Sequence, residues 1–363
     1  KILHAIGYLS REMGGPVASL KLLTESQLES GFQVKIAHTS KKNDGKILDF
    51  SKNIELIDLP SFSPLRIPFL MSSKILKNGF KPDLIHVHGL WFDIVRRIYQ
   101  MCIKFDIPLI ISPCGMLQEK ALNRSSFKKN IILKLYLKKI LESTKITFHS
   151  KSVPEKEQIK NFITKSKVIV IPNPVEICDK QMLNNDRKNQ FIFLGRIHPV
   201  KGLDLLIDTW KFFYNTNNDW ELLIIGPDTD GYKNQLIKNF DLTKDDYKIK
   251  FIDKVSGLEK WNYLTKAKYF VMPSEFENFG SAIVEAMSAG LPIITTSFTP
   301  WSIITERKCG WVIDNNFYDI LSSAINLNDY ERKKMSDNAI KLSKEYSSNN
   351  INNKMIGFYE SKI

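Results

Sequence analysis

Two doubly wound α/β domains are predicted for this 363-residue chain. Three observations carry the prediction. Short apolar, β-branched runs alternate with helix-length amphipathic stretches. The alternation starts afresh at Phe191 after a polar stretch. A strand–loop–helix–strand unit holding two acids stands in the C-terminal third, and such units build parallel sheets.

In the first half, strands are expected at residues 2–8, 33–38, 54–59, 84–88, 109–112 and 145–149. A helix over 16–29 follows the Gly14-Gly15 pair, with Pro16 suited to a first helical position. In the second half, strands are expected at 191–194, 220–225, 248–252, 269–272 and 293–296. Leu203, Leu206, Ile207, Trp210 and Phe213 recur at helical spacing between the first two. The pattern relaxes in the Asn- and Lys-rich stretch 174–189. The domains are therefore placed at 1–175 and 176–346, with a terminal helix at 347–363.

No run approaches the roughly 18–20 apolar residues that a membrane span needs. The start, KILHAIGYL, is interrupted by Arg11-Glu12 and reads as a first strand rather than a signal peptide. Cys102, Cys114, Cys178 and Cys309 lack metal-ligand spacing and disulfide-scaffold density, which fits a reducing cytoplasm. The net charge of +13 asks for an anionic partner. Nucleic acid is set aside because no zinc-finger spacing, RNP-like strand or basic helix-turn-helix is present. An anionic membrane surface fits better. Residues 127–141 plot as a helix with Leu133, Tyr136, Leu137 and Ile140 on one side. Lys128, Lys134, Lys138 and Lys139 share the other arc with Phe127, Ile131 and Leu135. The competing reading is a core helix with a solvated lysine face.

The most informative stretch is PSEFENFGSAIVEAMSAGLPII, residues 273–294. Glu277 and Glu285 flank a Phe279-Gly280 turn at which a helix begins, and Gly290 with Pro292 closes that helix. A helix start suits phosphate, and carboxylates beside it accept pairs of hydrogen bonds from vicinal hydroxyls. A nucleotide sugar presents that series of groups. FLGRIHPVKG puts Arg196 and Lys201 on the loop after the first strand of the second domain, where two cations can hold a diphosphate. The bland alternatives are solvated glutamates and a surface ion pair. Gly14-Gly15 lets backbone approach a ligand closely. His86 and His88 alternate in HVHG and are read as facing opposite sides, one packed in the core and His88 toward the cleft. Asp228-Thr229-Asp230 resembles a metal-binding DxD, but it follows Gly226-Pro227 and is read as a turn.

The stretch 273–294 resembles the E-x7-E signature of retaining glycosyltransferases of family 4, which have the GT-B fold. The Gly14-Gly15 loop, DLIHVHGLW (83–91), SPCGML (112–117), IPNPV (171–175), FLGRIHPVKG (193–202), TPW (299–301) and CGWVI (309–313) agree in order and spacing. The last two resemble a branch found in bacterial polysaccharide assembly. The resemblance implies two Rossmann-like domains facing across a cleft, with the terminal helix crossing back to the first. It implies a UDP- or GDP-sugar donor and a glycan or polyprenyl-diphosphate-linked acceptor. No metal or other cofactor is implied.

Carried over residue by residue, Arg196 and Lys201 bind the donor diphosphate and Glu277 a hydroxyl of the transferred sugar. Glu285 holds the ribose, and Asn278, Phe279 and Gly280 offer backbone N–H groups. The Gly14-Gly15 loop closes over the phosphate. Cys114 departs from the pattern, because related enzymes often carry His there and a thiol cannot replace imidazole in proton transfer. Cys114 and His88 are thus candidate cleft contacts. The expectation is a cytoplasmic hexosyltransferase, peripheral on the inner face of the membrane, acting in surface polysaccharide (O-antigen or capsule) assembly. An epimerase or phosphorylase on the same frame, or a non-catalytic membrane-bound scaffold, are the alternatives.

Overall fold

The computed structural model describes residues 1–9, 15–40, 47–62, 67–68, 71–117, 137–183, 186–228, 230–242, 247–314 and 316–363. It separates into two compact units, Val175–Ser347 and Lys1–Pro174 together with Ser348–Ile363. Among the described residues, no helix is long and apolar enough to cross a membrane.

The first unit is built on β1 (Ile2–Ile6), β2 (Val34–Ser40), β3 (Glu55–Phe62), β4 (Ile67–Pro68), β5 (Leu84–His88), β6 (Leu109–Ser112), β7 (Ile146–Ser150) and β8 (Lys167–Val170). Their order is β4-β3-β2-β1-β5-β6-β7-β8, parallel throughout except for the β3–β4 pair. β1 and β6 are buried at every residue, as expected of strands covered on both faces. The helix Ser348–Glu360 belongs to this unit. It lays Ile351, Met355 and Tyr359 against Ile2, Leu84, Ile110 and Ile171, and Asn352 Nδ2 donates to the Leu22 carbonyl at 3.2 Å. Of the basic stretch 127–141, only 137–141 fall within the described residues, where Leu137, Ile140 and Leu141 join the core.

The second unit contains β9 (Gln190–Leu194), β10 (Glu221–Ile225), β11 (Ile249–Ile252), β12 (Tyr269–Met272), β13 (Ile293–Thr296) and β14 (Gly310–Ile313). All are parallel, in the order β11-β10-β9-β12-β13-β14. Counted within the unit this is 3-2-1-4-5-6, the doubly wound order, in which ligands bind beyond the carboxyl ends of the strands where the order reverses. That switch point lies between β9 and β12. The first unit's parallel strands reverse likewise between β1 and β5.

Helix Leu203–Tyr214 buries Leu203, Leu206, Ile207, Trp210 and Phe213, the residues whose spacing marked it. β4, β8 and β14 were not anticipated from sequence. All three are outermost strands of their sheets, and β8 is exposed at Lys167 and half-buried beyond it, so little of it reads as apolar.

Candidate active site

Two loops leave the switch point of the second unit, one after β9 and one after β12. They are tied together by backbone. The Glu275 N–H donates to the Val200 carbonyl at 3.0 Å. Gly202 has φ +64°, and a Cβ there would stand 2.2 Å from the Pro273 carbonyl oxygen, so only glycine lets the loops approach this closely. His198, buried, accepts from the Val200 N–H through Nδ1 at 3.1 Å and so starts the short turn Pro199–Lys201.

This folding delivers Lys201 to Glu277. Lys201 Nζ donates to Glu277 Oε2 in a charge pair whose side chains are 12% and 16% exposed. Arg196, on the same loop, is exposed and makes no hydrogen bond or ion pair among the described residues. Gly280 caps the helix Ser281–Ser288 with φ +81°, and a Cβ there would meet Glu277 Cγ at 3.0 Å and Trp301 Nε1 at 3.3 Å. Trp301 of the TPW segment is fully buried and donates its indole N–H to the Phe279 carbonyl. The Phe279 ring packs against Trp301 and Tyr346 in the core. What Phe279 can offer a ligand is therefore its backbone. Asn278 stands partly buried beside it.

Glu285 lies one turn inside that helix, and its partner is a residue the sequence reading missed. Lys260, on the helix Gly257–Lys266, donates to Glu285 Oε1 at 3.0 Å and to Glu176 Oε2 at 3.3 Å. Burial raises the Glu285 carboxyl and Lys260 opposes that rise. The helix ends with Leu291 N–H donating to the Ala286 carbonyl at 3.0 Å around Gly290 at φ +76°.

In the first unit, the switch point carries a histidine cluster. His86 and His88 do not face opposite sides. Residues two apart on a strand share a face, and their rings lie 4.2 Å apart, centroid to centroid. His88 Nε2 is 3.0 Å from His4 Nδ1, and His4 Nε2 is 2.9 Å from Gln27 Oε1. His86 bonds Tyr359 through Nδ1 and Ser112 Oγ through Nε2, the latter at 2.7 Å. His149 Nε2–H donates to the Ile171 carbonyl at 2.8 Å, which leaves Nδ1 to accept from Ser112 Oγ at 2.9 Å and Lys151 Nζ at 3.1 Å. Burial lowers all four histidines, His4 to about 4. The ring nitrogens of His4, His86 and His88 lie near enough to share an ion. His4 and His86 already spend both of theirs on protein partners, so the trio fits a hydrogen-bonded network better than a metal cage.

Cys114 stands at the end of β6 with φ +55°, in a turn held by Glu155. The Glu155 carboxylate accepts from the Gly115 and Lys151 N–H groups, both at 2.6 Å. Burial pushes the Cys114 thiol up to about 11, so it is protonated at neutral pH. Lys151 is buried, has no carboxylate in ion-pairing reach of Nζ among the described residues, and is lowered by burial. Gly14 lies outside the described residues; Gly15 opens the helix Gly15–Glu29 with open space beside it. Asp228 accepts from the Tyr232 and Lys233 N–H groups at 2.9 and 3.2 Å, capping a helix start, while Thr229 lies outside the described residues.

The structure thus joins Lys201 to Glu277 beside Gly280, sets Glu285 a turn away with Lys260, and leaves Arg196 open to solvent. Residues 13–177 match the family model described as Glycosyltransferase Family 4, and residues 174–342 match Glycosyl transferases group 1. Together these span most of the chain, and the protein belongs to glycosyltransferase family 4, with the GT-B fold. It is 28% identical over 312 residues to an uncharacterized glycosyltransferase of Methanocaldococcus jannaschii, covering 82% of each chain. It is 24% identical to the capsular polysaccharide biosynthesis glycosyltransferase CapH of Staphylococcus aureus, over 84% of each. A GDP-mannose:cellobiosyl-diphosphopolyprenol alpha-mannosyltransferase of Komagataeibacter xylinus is 23% identical, covering 87% of this chain and 80% of that one. Among solved structures, Anabaena HepE in complex with UDP and glucose superimposes with a TM-score of 0.75 at 14% identity, over 99% of both chains.

Proposed function

We propose that this glycosyltransferase moves a hexose from a UDP- or GDP-sugar to a glycan or polyprenyl-diphosphate-linked glycan, with retention at the anomeric carbon and without a metal. The observation that carries the reading is the Lys201–Glu277 pair on two backbone-tied loops at the β9/β12 switch point. An ammonium there can stabilise the diphosphate as the bond from the anomeric carbon to the phosphate oxygen breaks. Glu277, giving Lys201 one oxygen, keeps the other for a sugar hydroxyl. Arg196, unpaired and exposed, reaches the phosphates as a second cation. The acceptor oxygen bonds to the anomeric carbon from the face the phosphate leaves, and its proton passes to a phosphate oxygen. That route needs no imidazole at Cys114, whose thiol is held protonated.

The relatives' names support the class of pathway, surface polysaccharide assembly, and HepE binding UDP supports the donor class. The charge of +13 supports a place at an anionic membrane face. The test is a screen of nucleotide sugars for thermal stabilisation, followed by turnover with the best donor. Lys201→Ala and Glu277→Ala should each lower kcat by about 10²–10³-fold. Near-normal rates in both would remove the assignment. Equal partition onto neutral and anionic vesicles would remove the membrane part alone.

A further inference from the structure

Glu285 is one member of a three-residue chain of charges, Glu176–Lys260–Glu285, drawn from three separate segments. Two of the segments are joined independently of the charges. The stretch after Val175 is pinned to the helix Ser281–Ser288 by the Cys178 N–H, which donates to Ser288 Oγ at 3.0 Å, and Ser288 Oγ donates on to the Glu285 carbonyl at 2.7 Å. Lys260 stands over the Trp261 ring, 4.3 Å from its centroid, and is only 12% exposed. Its ammonium therefore has a fixed place rather than the freedom of a surface lysine.

The geometry of the bonds is asymmetric. Lys260 takes Glu285 Oε1, and among the described residues Glu285 Oε2 has no hydrogen-bond partner. We infer that Lys260 is a positioning residue for the donor site: it holds the Glu285 carboxylate in one rotamer, with Oε2 presented as a single acceptor for a ribose hydroxyl. This rests on the proposed nucleotide-sugar reading and assigns a role to a residue that lies outside the motif. Glu176, 56% exposed, is the second carboxylate on the lysine.

The charged groups acting on Glu285 are Lys260 from one helix and Glu176 from the segment after Val175, and both also act on the Cys178 thiol. Without Lys260, burial and Glu176 both favour the protonated acid, so the carboxylate is lost at low pH and partly regained at high pH. The experiment measures UDP and GDP binding by calorimetry from pH 6 to pH 8.5 for wild type, Lys260→Met, Lys260→Arg and Glu285→Gln. Lys260→Met combined with Glu285→Gln is measured alongside, with melting curves to confirm folding. For the nucleotide that wild type binds, Lys260→Met should weaken binding roughly ten- to hundredfold at pH 6, the range for a hydrogen bond to a charged group, and less at pH 8.5. Lys260→Arg should restore most of it. In the Glu285→Gln background, Lys260→Met should change little, because it acts through a carboxylate already removed. A folded Lys260→Met that binds as wild type does at every pH overturns the inference and leaves the donor site standing. An equal loss with and without Glu285 also overturns it, since the lysine would then act by another route. Wild type binding neither nucleotide would overturn the donor reading and this inference with it.

Discussion

Acidification should unfold the first unit well before the second. Five of the six histidines lie in the first unit, and four of them form the buried network at its switch point. His4 is held at about 4 against an ordinary value of 6.5, because burial opposes its charged form. Between those two values the unfolded chain binds a proton that the folded chain refuses, so stability falls as pH drops from above 6.5 toward 4. For His4 alone the loss is about 2 kcal/mol at pH 5 and about 3 kcal/mol below pH 4, at 1.36 kcal/mol per unit. His86, His88 and His149 are displaced in the same direction, so their losses add to that figure. Against a domain stability of about 5–15 kcal/mol, this is enough to open the unit. Hydrogen exchange with mass spectrometry at pH 7, 6 and 5 reads the two units separately. Protection in β1, β5 and β7 should fall before that in β9 and β12. If β1 and β5 keep their pH 7 protection at pH 5, the histidines are not buried as neutral groups and the reasoning fails.

Two further outcomes follow from single contacts. Trp301→Phe removes the indole donor to the Phe279 carbonyl while keeping the ring. It should cost about 1–3 kcal/mol in a urea titration and raise the donor KM, because a buried carbonyl loses its partner and the turn at Gly280 loosens. Cys114 should react with iodoacetamide at pH 7.5 about a hundredfold more slowly than an ordinary thiol, since a thiol at about 11 rather than 9.0 is a thiolate that much less often. Rapid labelling at Cys114, read by peptide mass, would contradict a thiol held protonated.

Much of the architecture could be read from residues whose local signal and final environment agree. β5, β6, β12 and β13 fall where their apolar runs place them, because central parallel strands are apolar on both faces. The edge strands β8 and β14 are half solvated and left a weaker trace. The loop residues Lys201 and Glu277 were recognisable because glycines frame them within short windows. Lys260 was not, since its bonds to Glu285 and Glu176 join positions 25 and 84 residues away. Tyr359 and Glu155 were missed for the same reason, since their bonds to His86 and the Gly115 N–H join positions 273 and 40 residues apart. The HVHG reading failed differently. It treated next-but-one residues as pointing apart, whereas the two-residue period of a strand places His86 and His88 side by side.

The weld between the Val200 and Glu275 segments, with Gly202 against Pro273, bears on how this protein can be re-engineered. Each segment rests on the other, so a graft that swaps one of them into a relative's scaffold should deliver misplaced side chains. Chimeras meant to exchange donor preference should move the two as a cassette, together with the glycine that permits their contact.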